Sequence, residues 1–445
     1  MPRKAPFHVA RDAVKKLLRS KLLWGGALSL FIQFQFQIIR LISGVILARI
    51  LGPRQLGIYS FTMSLVQLIQ VVPVFGVANV VMRYSAVYRM RAAWEFLRGL
   101  RITAHLVSIG YGVVTAGGIL LLIHLGWLTS TAAVSPTALE IGAILLISRP
   151  ILSYLGAVLR VENPGVIGQL PKYVVQPWLF LLFVILVALA ARSCVSADSA
   201  VLAQGITAVA TAVFALPWVA RISRKSAQVA QRRYEFANWF RSASSFWLLG
   251  GLELICTQAD MLLLGTFGTA REAGIYRVAT NGSNLLLLCA TAVDLYLGPK
   301  IPELYARLEK AKLERLLSLV AKGAFIASLA LSCLFWFWGR EILRHVFGAA
   351  YSAAFWPLAI LCGGQLAYVA SGASGLLLGM TGHERECVLI AGISAVCNVA
   401  LNVALIPRLG AIGSAVATGI AMVVWSGLLV RAVKRRLGVG ASIFA

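Results

Sequence analysis

LARILGPRQLGIYS, residues 47–60, is the stretch that decides the fold of this chain. An apolar segment ends at Leu51, and a second apolar run begins at Gly57 after a short polar turn. Gly52 tolerates the positive φ that is common at a helix C-terminus, and Pro53 cannot prolong the helix before it. The stretch therefore predicts a hairpin that joins two apolar helices.

The same phrase returns about half a chain later, in LLLGTFGTAREAGIYRVATN, residues 262–281. The Gly-Ile-Tyr at 57–59 recurs at 274–276, which is 217 residues further on. Two more matches, at offsets of 215 and 214, pair residues 199–201 with 414–416 and 205–206 with 419–420. Near-constant offsets predict two parallel six-helix repeats, related by an axis along the membrane normal.

Composition places the chain in a membrane. Of its 445 residues, 59% are hydrophobic and 13% are charged, and the mean hydropathy is +0.83. A soluble core cannot bury so much apolar surface. The seven cysteines include no C-x-x-C pair and the five histidines lie far apart, so the sequence predicts neither a disulfide framework nor a metal site.

Charge clusters and Gly or Pro turns divide the chain into about twelve segments long enough to cross the hydrocarbon, which takes about 20 mainly apolar residues. The first six are residues 22–48, 57–81, 102–125, 138–159, 173–191 and 199–220. The second six are residues 242–265, 275–297, 318–338, 353–378, 387–406 and 412–430. We therefore expect an all-α polytopic membrane protein with an N-terminal six-helix lobe, 22–220, and a C-terminal one, 242–430.

Basic residues are confined mainly to alternate loops. The net charge of +25 would suggest nucleic acid in a soluble protein. Here 31 of the 41 Lys and Arg lie in segments 1–21, 82–101, 160–172, 221–241, 298–322, 379–386 and 431–445. The opposite loops hold Arg49, Arg54, Arg192, Arg271, Arg277, Arg340, Arg344 and Arg408. This bias predicts that both termini are cytoplasmic, and it explains the charge without nucleic acid.

Three segments outside the predicted spans are basic. Residues 1–21 are expected to form an amphipathic helix on the membrane surface, a retained anchor and not a signal peptide. Residues 221–241 are expected to form a cytoplasmic linker helix with aromatic anchors, and 431–445 a basic cytoplasmic tail. No loop between spans exceeds about 20 residues, which leaves no room for a soluble catalytic domain.

Two arginines lie inside predicted spans. Arg40 follows Gln33 and Gln37 at helical spacing, so the three share one face. An arginine in a span costs about 2.5–3.5 kcal/mol on insertion scales, so it faces a cavity or reaches the headgroups. Arg149 lies near the middle of the fourth span, beside Pro150, where a headgroup is out of reach. Guanidinium groups in a central cavity are suited to bidentate capture of phosphate oxygens.

The seventh span carries two acids, Glu253 and Asp260, on one helix face. Three roles remain open for them. Asp260 lies near the depth of Arg40 in the repeat and would pair with it as an outer gate. Alternatively the acids bind a coupling proton or sodium ion, or they neutralise neighbouring arginines as static pairs.

The sequence contains no motif of an enzyme: neither G-x-S-x-G nor a Walker loop is present. We expect a transporter without a cofactor, coupled to a gradient of H⁺ or Na⁺. A membrane-embedded glycan polymerase or ligase is expected to have a large external loop with catalytic residues. The predicted outer loops are short, which disfavours this alternative. A structural partner in a glycan-assembly complex is a further alternative.

The motifs resemble those of a known family. ARILGPRQLGIYS at 48–60, followed by VPVFGVANVVMRYSA at 72–86, is similar to the opening of bacterial polysaccharide flippases of the O-antigen type. NVALIPRLGAIGSAVATGIA at 402–421 resembles their turn between the eleventh and twelfth helices. These proteins belong to the multidrug, oligosaccharidyl-lipid and polysaccharide exporter superfamily, and the likeness spans nearly the whole chain.

The resemblance implies two six-helix lobes around a V-shaped central cavity, working by alternating access. It implies as cargo an undecaprenyl-diphosphate-linked oligosaccharide, carried to the outer leaflet of the bacterial inner membrane for surface polysaccharide such as lipopolysaccharide. It further implies a monomer in the bilayer, with glycan-assembly proteins as possible partners. A drug or metabolite cation antiporter is the main alternative on the same scaffold. Lipid II flippases are another, although they generally have two extra helices.

Overall fold

The computed structural model of the protein describes residues 7–127, 135–162, 167–190, 195–227, 231–297, 301, 304, 310–440 and 442–443. Among these residues the regular structure is helical, without a strand. The helices are α1 Phe7–Ile69, α2 Ala78–Met90, α3 Trp94–His124, α4 Pro136–Glu162, α5 Gln176–Ala190, α6 Ala197–Ala227, α7 Phe236–Phe267, α8 Ala270–Ser283, α9 Leu287–Leu297, α10 Lys310–Val346, α11 Phe355–Ala370, α12 Ser374–Met380 and α13 Glu384–Leu437. The side chains of residues 7–27 and of several others, Glu253 among them, lie outside this description.

Length and apolar composition mark this as a multi-pass membrane protein. Eight described helices are long and apolar enough to cross a membrane, or nine when the bent helix α7 counts as one span. Helices α1 and α13 contain 63 and 54 residues, and each covers two of the predicted spans. The prediction of an all-α polytopic fold is confirmed, while the number twelve stays a prediction.

Both long helices are broken at a glycine with positive φ. Gly52 has a φ of 69° in α1 and Gly410 a φ of 53° in α13, so each helix consists of two helical parts. Residues with a Cβ rarely adopt this conformation. At Gly410 a Cβ would also lie 1.8 Å from a carboxylate oxygen of Glu272. The turn predicted from Gly52-Pro53 is therefore present, and α13 is broken in the same way at Gly410, where a Cβ would require the Glu272 carboxylate to shift.

Helix α8 begins with a capping box in the second copy of the hairpin phrase. The Thr269 side chain accepts a hydrogen bond from the Glu272 N–H, at 3.2 Å, and the Glu272 carboxylate accepts one from the Thr269 N–H, at 2.9 Å. These reciprocal bonds satisfy two backbone donors that a helix start leaves free. The sequence T-x-x-E thus fixes the first residue of α8.

Two predicted basic segments take a different form. Residues 7–21, expected as a separate surface helix, run without interruption into α1, and residues 1–6 lie outside the described residues. The expected linker helix at 221–241 is wrong. Helix α6 continues to Ala227, residues 231–235 are not helical, and α7 begins at Phe236, because the ends of the two flanking helices absorb most of this segment.

The two copies of the hairpin pack directly against each other. A Cβ at Gly57 would lie 1.7 Å from the carbonyl oxygen of Ala270, and one at Gly274 would lie 1.9 Å from that of Pro53. Small residues let membrane helices approach backbone to backbone in this way. The end of the molecule that contains Gly52 and this contact is called the hairpin side below. The opposite end, with residues 82–101 and 221–241, is called the linker side.

Further bonds join the two lobes on the hairpin side. The Arg49 guanidinium donates to the carbonyl oxygen of Val346 at 2.6 Å and to that of His345, at the C-terminus of α10. The Tyr351 hydroxyl donates to the carbonyl oxygen of Ala48 at 2.9 Å. A guanidinium is favourable at a helix C-terminus, where carbonyl groups lack partners. The lobes are therefore closed against each other on this side.

On the linker side, helix α2 contacts the start of α7 through an aromatic cluster. The Tyr88 hydroxyl donates to Glu235 at 2.9 Å and accepts from the Trp239 indole N–H at 2.9 Å. Burial raises the pKa of Tyr88 to about 12, so the hydroxyl stays protonated and able to donate. Trp239, expected as a membrane anchor, is 5% exposed and serves as a packing contact between the lobes.

Candidate functional site

Two arginines interact with one tyrosine where the two lobes face each other, and a third arginine interacts with one of these two. Electrostatic interactions join Tyr59 to Arg149 of α4 and to Arg277 of α8, and they join Arg277 to Arg40 of α1. Arg149 and Arg277 are half-buried, and Arg40 is exposed. We call Arg40, Arg149 and Arg277 the arginine cluster. It contains both arginines that the sequence singled out.

The arginine cluster has no counter-charge in the described part of the chain. The ion pairs there involve other residues, and no described side chain or carbonyl oxygen accepts a hydrogen bond from these three guanidinium groups. Burying an unpaired charge is costly, and bringing like charges together adds repulsion. An anionic ligand removes both costs at once, and a guanidinium offers it two parallel N–H donors.

The neighbouring face of α1 is polar but unbonded. Gln33 and Gln37 are partly buried, and neither side chain hydrogen-bonds to a described residue. By contrast, Gln35, on another face of the same helix, donates to the carbonyl oxygen of Tyr173 at 2.7 Å and accepts from Trp178 at 3.0 Å. Gln35 therefore fixes α1 against its own lobe, while Gln33 and Gln37 keep free amide groups on the face of Arg40.

Asp260 lies in a hydrogen-bonded network inside the second lobe. It is 7% exposed and accepts from the hydroxyls of Tyr276 at 2.8 Å and Thr418 at 2.6 Å. The Asn402 amide donates to it at 3.1 Å and to the side-chain oxygen of Asn398 at 3.1 Å. In this conformation Asp260 is thus bonded by residues of its own lobe, and no ion pair with Arg40 occurs among the described residues.

This network is rich in oxygen atoms. Besides the Asp260 carboxylate, it includes the hydroxyl of Thr418 and the side-chain oxygens of Asn398 and Asn402. The Asn402 oxygen is buried and has no hydrogen-bond partner. Carboxylate, amide and hydroxyl oxygens are the ligands of hard cations, so the arrangement can hold a small cation as well as a proton.

Sequence reasoning missed several of these residues. Arg277 was counted with the outer-loop arginines although residue 277 falls at the start of the predicted span 275–297; it lies within α8 and interacts with Arg40. The signal was its position directly after the repeated Gly-Ile-Tyr. The pair Asn398 and Asn402, four apart in an apolar helix, was a second signal that could have been read. Glu253 lies in α7, and its side chain is outside the described residues.

Comparison with known proteins gives a family and a fold. A family model described as polysaccharide biosynthesis protein matches residues 22–293, more than half of the chain. A probable low-salt glycan biosynthesis flippase, Agl15 of Haloferax volcanii, is 29% identical over 175 residues. This alignment covers 37% of the present chain and 35% of that relative, so it spans about a third of the relative's length.

Solved structures of transporters share the fold over most of their length. The lipid II flippase MurJ in an inward closed conformation superposes with a TM-score of 0.69, at 14% identity over 91% of this chain and 87% of that one. An inward-facing multidrug resistance MATE family transporter of the MOP superfamily gives a TM-score of 0.68, at 13% identity over 92% and 99%. At such identities the likeness shows the fold alone, which is that of a two-lobed transporter.

Proposed function

This chain belongs to the polysaccharide biosynthesis protein family, and on that premise we propose that it is a flippase for an undecaprenyl-diphosphate-linked oligosaccharide. The observation that carries the proposal is the arginine cluster, three guanidinium groups between the lobes that have no counter-charge among the described residues. The name of the Agl15 relative, a glycan biosynthesis flippase, supports the same class of substrate.

The chemistry of the cargo matches the cluster. A diphosphate carries several oxygens and at least two negative charges. A group of guanidinium forks can bind these oxygens in pairs, which a single point charge such as a lysine ammonium cannot. Gln33 and Gln37 offer free amide groups to the neighbouring sugar hydroxyls. The polyprenyl chain has no need of a pocket, because it remains in the bilayer while the head group crosses.

The basic residues set the direction of transport in this proposal. Their bias places the linker side and both termini in the cytoplasm of a bacterial cell, and the hairpin side towards the outer leaflet. The contact of Gly57 with Ala270 and the Arg49 bonds then close the outer side. The described conformation is accordingly closed towards the outer leaflet. Rocking of the lobes, which opens the hairpin side, would release the cargo outwards.

Asp260 is the proposed coupling residue. Its four polar neighbours, Tyr276, Asn398, Asn402 and Thr418, come from α8 and from the two parts of α13, all in one lobe. Binding of a proton or sodium ion there neutralises the carboxylate and changes the packing of α7 against α13. A gradient of that ion can therefore bias the rocking of the lobes. Glu253, seven residues earlier in the same helix, is kept as a second candidate.

Reconstitution tests the function directly. Purified protein is placed in vesicles with a fluorescent undecaprenyl-diphosphate oligosaccharide, and a lectin added outside reports the fraction of glycan on the outer leaflet. We expect the glycan lipid to move between leaflets only when the protein is present. A high concentration of undecaprenyl phosphate without glycan should slow this movement by competition. Vesicles that move the lipid no faster than protein-free vesicles would overturn it.

A drug or metabolite antiporter is the second candidate, favoured by the likeness to the multidrug transporter. The arginine cluster speaks against cationic cargo, because like charges repel in a medium of low dielectric constant. Deletion in the native cell separates the two. Loss of surface glycan without greater sensitivity to cationic drugs supports the flippase, and the reverse result supports the antiporter.

A further inference from the structure

A small cavity lies inside the second lobe, away from the arginine cluster and from Asp260. It is lined by residues of α9, α10 and the end of α11 and has room for about one water molecule. Asp294 of α9 and Tyr368 of α11 are its polar lining residues. The remaining lining consists of small or apolar side chains, such as Ala321 and Ala324 of α10.

Asp294 has no partner for its charge among the described residues. No described residue forms an ion pair or hydrogen bond with its carboxylate. Among the described lining residues, Tyr368 is the titratable group that faces it, and electrostatic interaction joins the two. Lys322, next to Ala321 in α10, is exposed and does not line the cavity. A carboxylate in this position therefore bears its charge without compensation.

The first lobe shows that the fold does not require an acid here. The repeat offset of 217 carries Asp294 onto Val77, and the offset of 216 between α4 and α11 carries Tyr368 onto Leu152. Val77 and Leu152 belong to one hydrophobic cluster of the first lobe. Where the second lobe has an acid and a tyrosine, the first lobe has two apolar residues of one hydrophobic cluster. The acid is thus a specific feature of the second lobe.

We propose that Asp294 is a proton-binding site, at which one proton binds to a carboxylate oxygen and converts the charged group into a neutral carboxylic acid. Acids in the membrane-embedded part of a protein are rare and mark ion pathways and proton relays, so such a residue is a functional-site candidate by default. A metal ion is a poorer fit, because hard cations take six or more oxygen ligands and the described lining offers a carboxylate and one hydroxyl. The cavity supplies the water through which the proton enters.

The site differs in kind from that of Asp260. Asp260 is bonded by several donors, which stabilise the charged form, whereas Asp294 has none among the described residues. In this proposal the second lobe thus contains two different carboxylates. The hydrogen bonds to Asp260 stabilise its charged form, whereas the surroundings of Asp294 favour the protonated, neutral form. The role of Asp294 in transport rests on the proposed function, whereas the binding of a proton to Asp294 does not.

Infrared difference spectroscopy of the reconstituted protein tests the binding. Spectra taken between about pH 5 and about pH 8 report the C=O stretch of each carboxylic acid that titrates in that interval. We expect a band that is absent in Asp294→Asn and shifted in Tyr368→Phe, because the tyrosine hydroxyl is the polar neighbour of the acid. Glu384→Gln, which removes an exposed carboxylate at the start of α13, should leave this band in place.

The outcome is decisive in either direction. If the Asp294→Asn spectrum equals that of the unaltered protein, Asp294 does not bind a proton in this interval and the proposal is overturned. Monodisperse Asp294→Asn protein with a normal helical signal excludes misfolding as the cause of a lost band.

Vesicles with a pH gradient then test its use in transport. Acceleration of glycan movement by the gradient should fall roughly tenfold in Asp294→Asn, the loss of about 1.4 kcal/mol of coupling. If neither the unaltered protein nor Asp294→Asn moves the glycan, the proposed function fails. The infrared experiment then still decides independently whether Asp294 binds a proton. If the gradient accelerates both proteins equally, the role of Asp294 in transport is excluded.

Discussion

The two lobes place the same tyrosine in opposite electrostatic surroundings. Tyr59 and Tyr276 occupy equivalent positions of the repeated hairpin, and both are buried. The Tyr59 hydroxyl accepts a bond from Gln204 of α6 at 3.3 Å, and the Tyr276 hydroxyl lies 3.1 Å from that of Thr418 in α13. Gln204 and Thr418 are themselves equivalent, at the offset of 214. One tyrosine faces arginines, however, and the other faces an acid.

Packing confirms how the intervening helices align. A Cβ at Gly205 would meet the side chain of Ile144 in α4 at 3.2 Å, and one at Gly419 would meet that of Ile360 in α11 at 3.6 Å. Since Gly205 and Gly419 are equivalent, Ile144 and Ile360 are equivalent too, at an offset of 216. Helices α4 and α11 can therefore be compared residue by residue.

This alignment shows where the lobes diverge. Arg149 corresponds to Gln365, which is 2% exposed and whose side-chain oxygen has no hydrogen-bond partner. Asp260 corresponds to Ser43, a buried serine whose hydroxyl has no partner either. The scaffold is repeated, but each lobe has a charged residue where the other has a neutral one. At these positions the first lobe has an arginine and the second lobe has an acid.

The largest effect is expected from making the first lobe resemble the second. Arg149→Gln should lower glycan transport roughly 100-fold, because losing a charge-assisted bond to phosphate costs about 1.5–3 kcal/mol. Arg149→Ala should abolish export in cells while protein levels stay normal. Arg54→Ala, which removes an exposed arginine of the hairpin, is the matched control. Unchanged surface polysaccharide in Arg149→Ala would exclude this arginine from substrate binding.

A smaller effect is expected from neutralising the second lobe. Asp260→Asn keeps the shape of the side chain but removes the charge that a coupling ion would balance. Stimulation of transport by an H⁺ or Na⁺ gradient should fall roughly tenfold, about 1.4 kcal/mol of coupling. Flux measured with each gradient separately identifies the ion. Full stimulation by both gradients would rule out Asp260 as the coupling residue.

The contact between the two hairpins can be broken by one methyl group. Gly57→Ala places a Cβ 1.7 Å from the Ala270 carbonyl oxygen, so the hairpin side must open. Overpacking costs about 1–3 kcal/mol, which shifts the population towards the open form several-fold or more. Distances between spin labels across the hairpin side measure it. Gly117→Ala in α3, where a Cβ meets nothing within 4 Å, should leave the distances unchanged.

The smallest effect is expected at a single hydrogen bond between the lobes. Tyr351→Phe removes the 2.9 Å bond to Ala48 and should favour the open hairpin side by about 1 kcal/mol, roughly a fivefold shift. The same spin-label distances report it. Tyr234→Phe, which alters an exposed ring on the linker side, is the control. Identical distance distributions in the two variants would show that the Tyr351 bond does not hold the lobes closed.

Several residues of the candidate site could be predicted from the sequence, because a charged residue in an apolar helix is easily recognised. Arg40 and Arg149 stood out by depth alone, and the structure brings both to Tyr59 directly or through Arg277. Arg277 itself was counted with the loop arginines, since it lies only two residues from the start of the predicted span 275–297, next to the polar turn. The partners of Asp260 lie 16 to 158 residues away, and no local pattern links such distant positions.

By itself, the sequence determined the class of the protein, its repeat and its breaks. Apolar runs force helices in a bilayer, where each backbone group must be bonded within its own segment, and Gly52 with Pro53 must end a helix. Tertiary structure decided which charges meet. Arg49 caps a helix of the other lobe, and Asp260 bonds within its own lobe instead of to Arg40. Such pairings depend on the rotation and crossing angle of each helix. Side-chain packing determines both, whereas the hydropathy of the sequence does not.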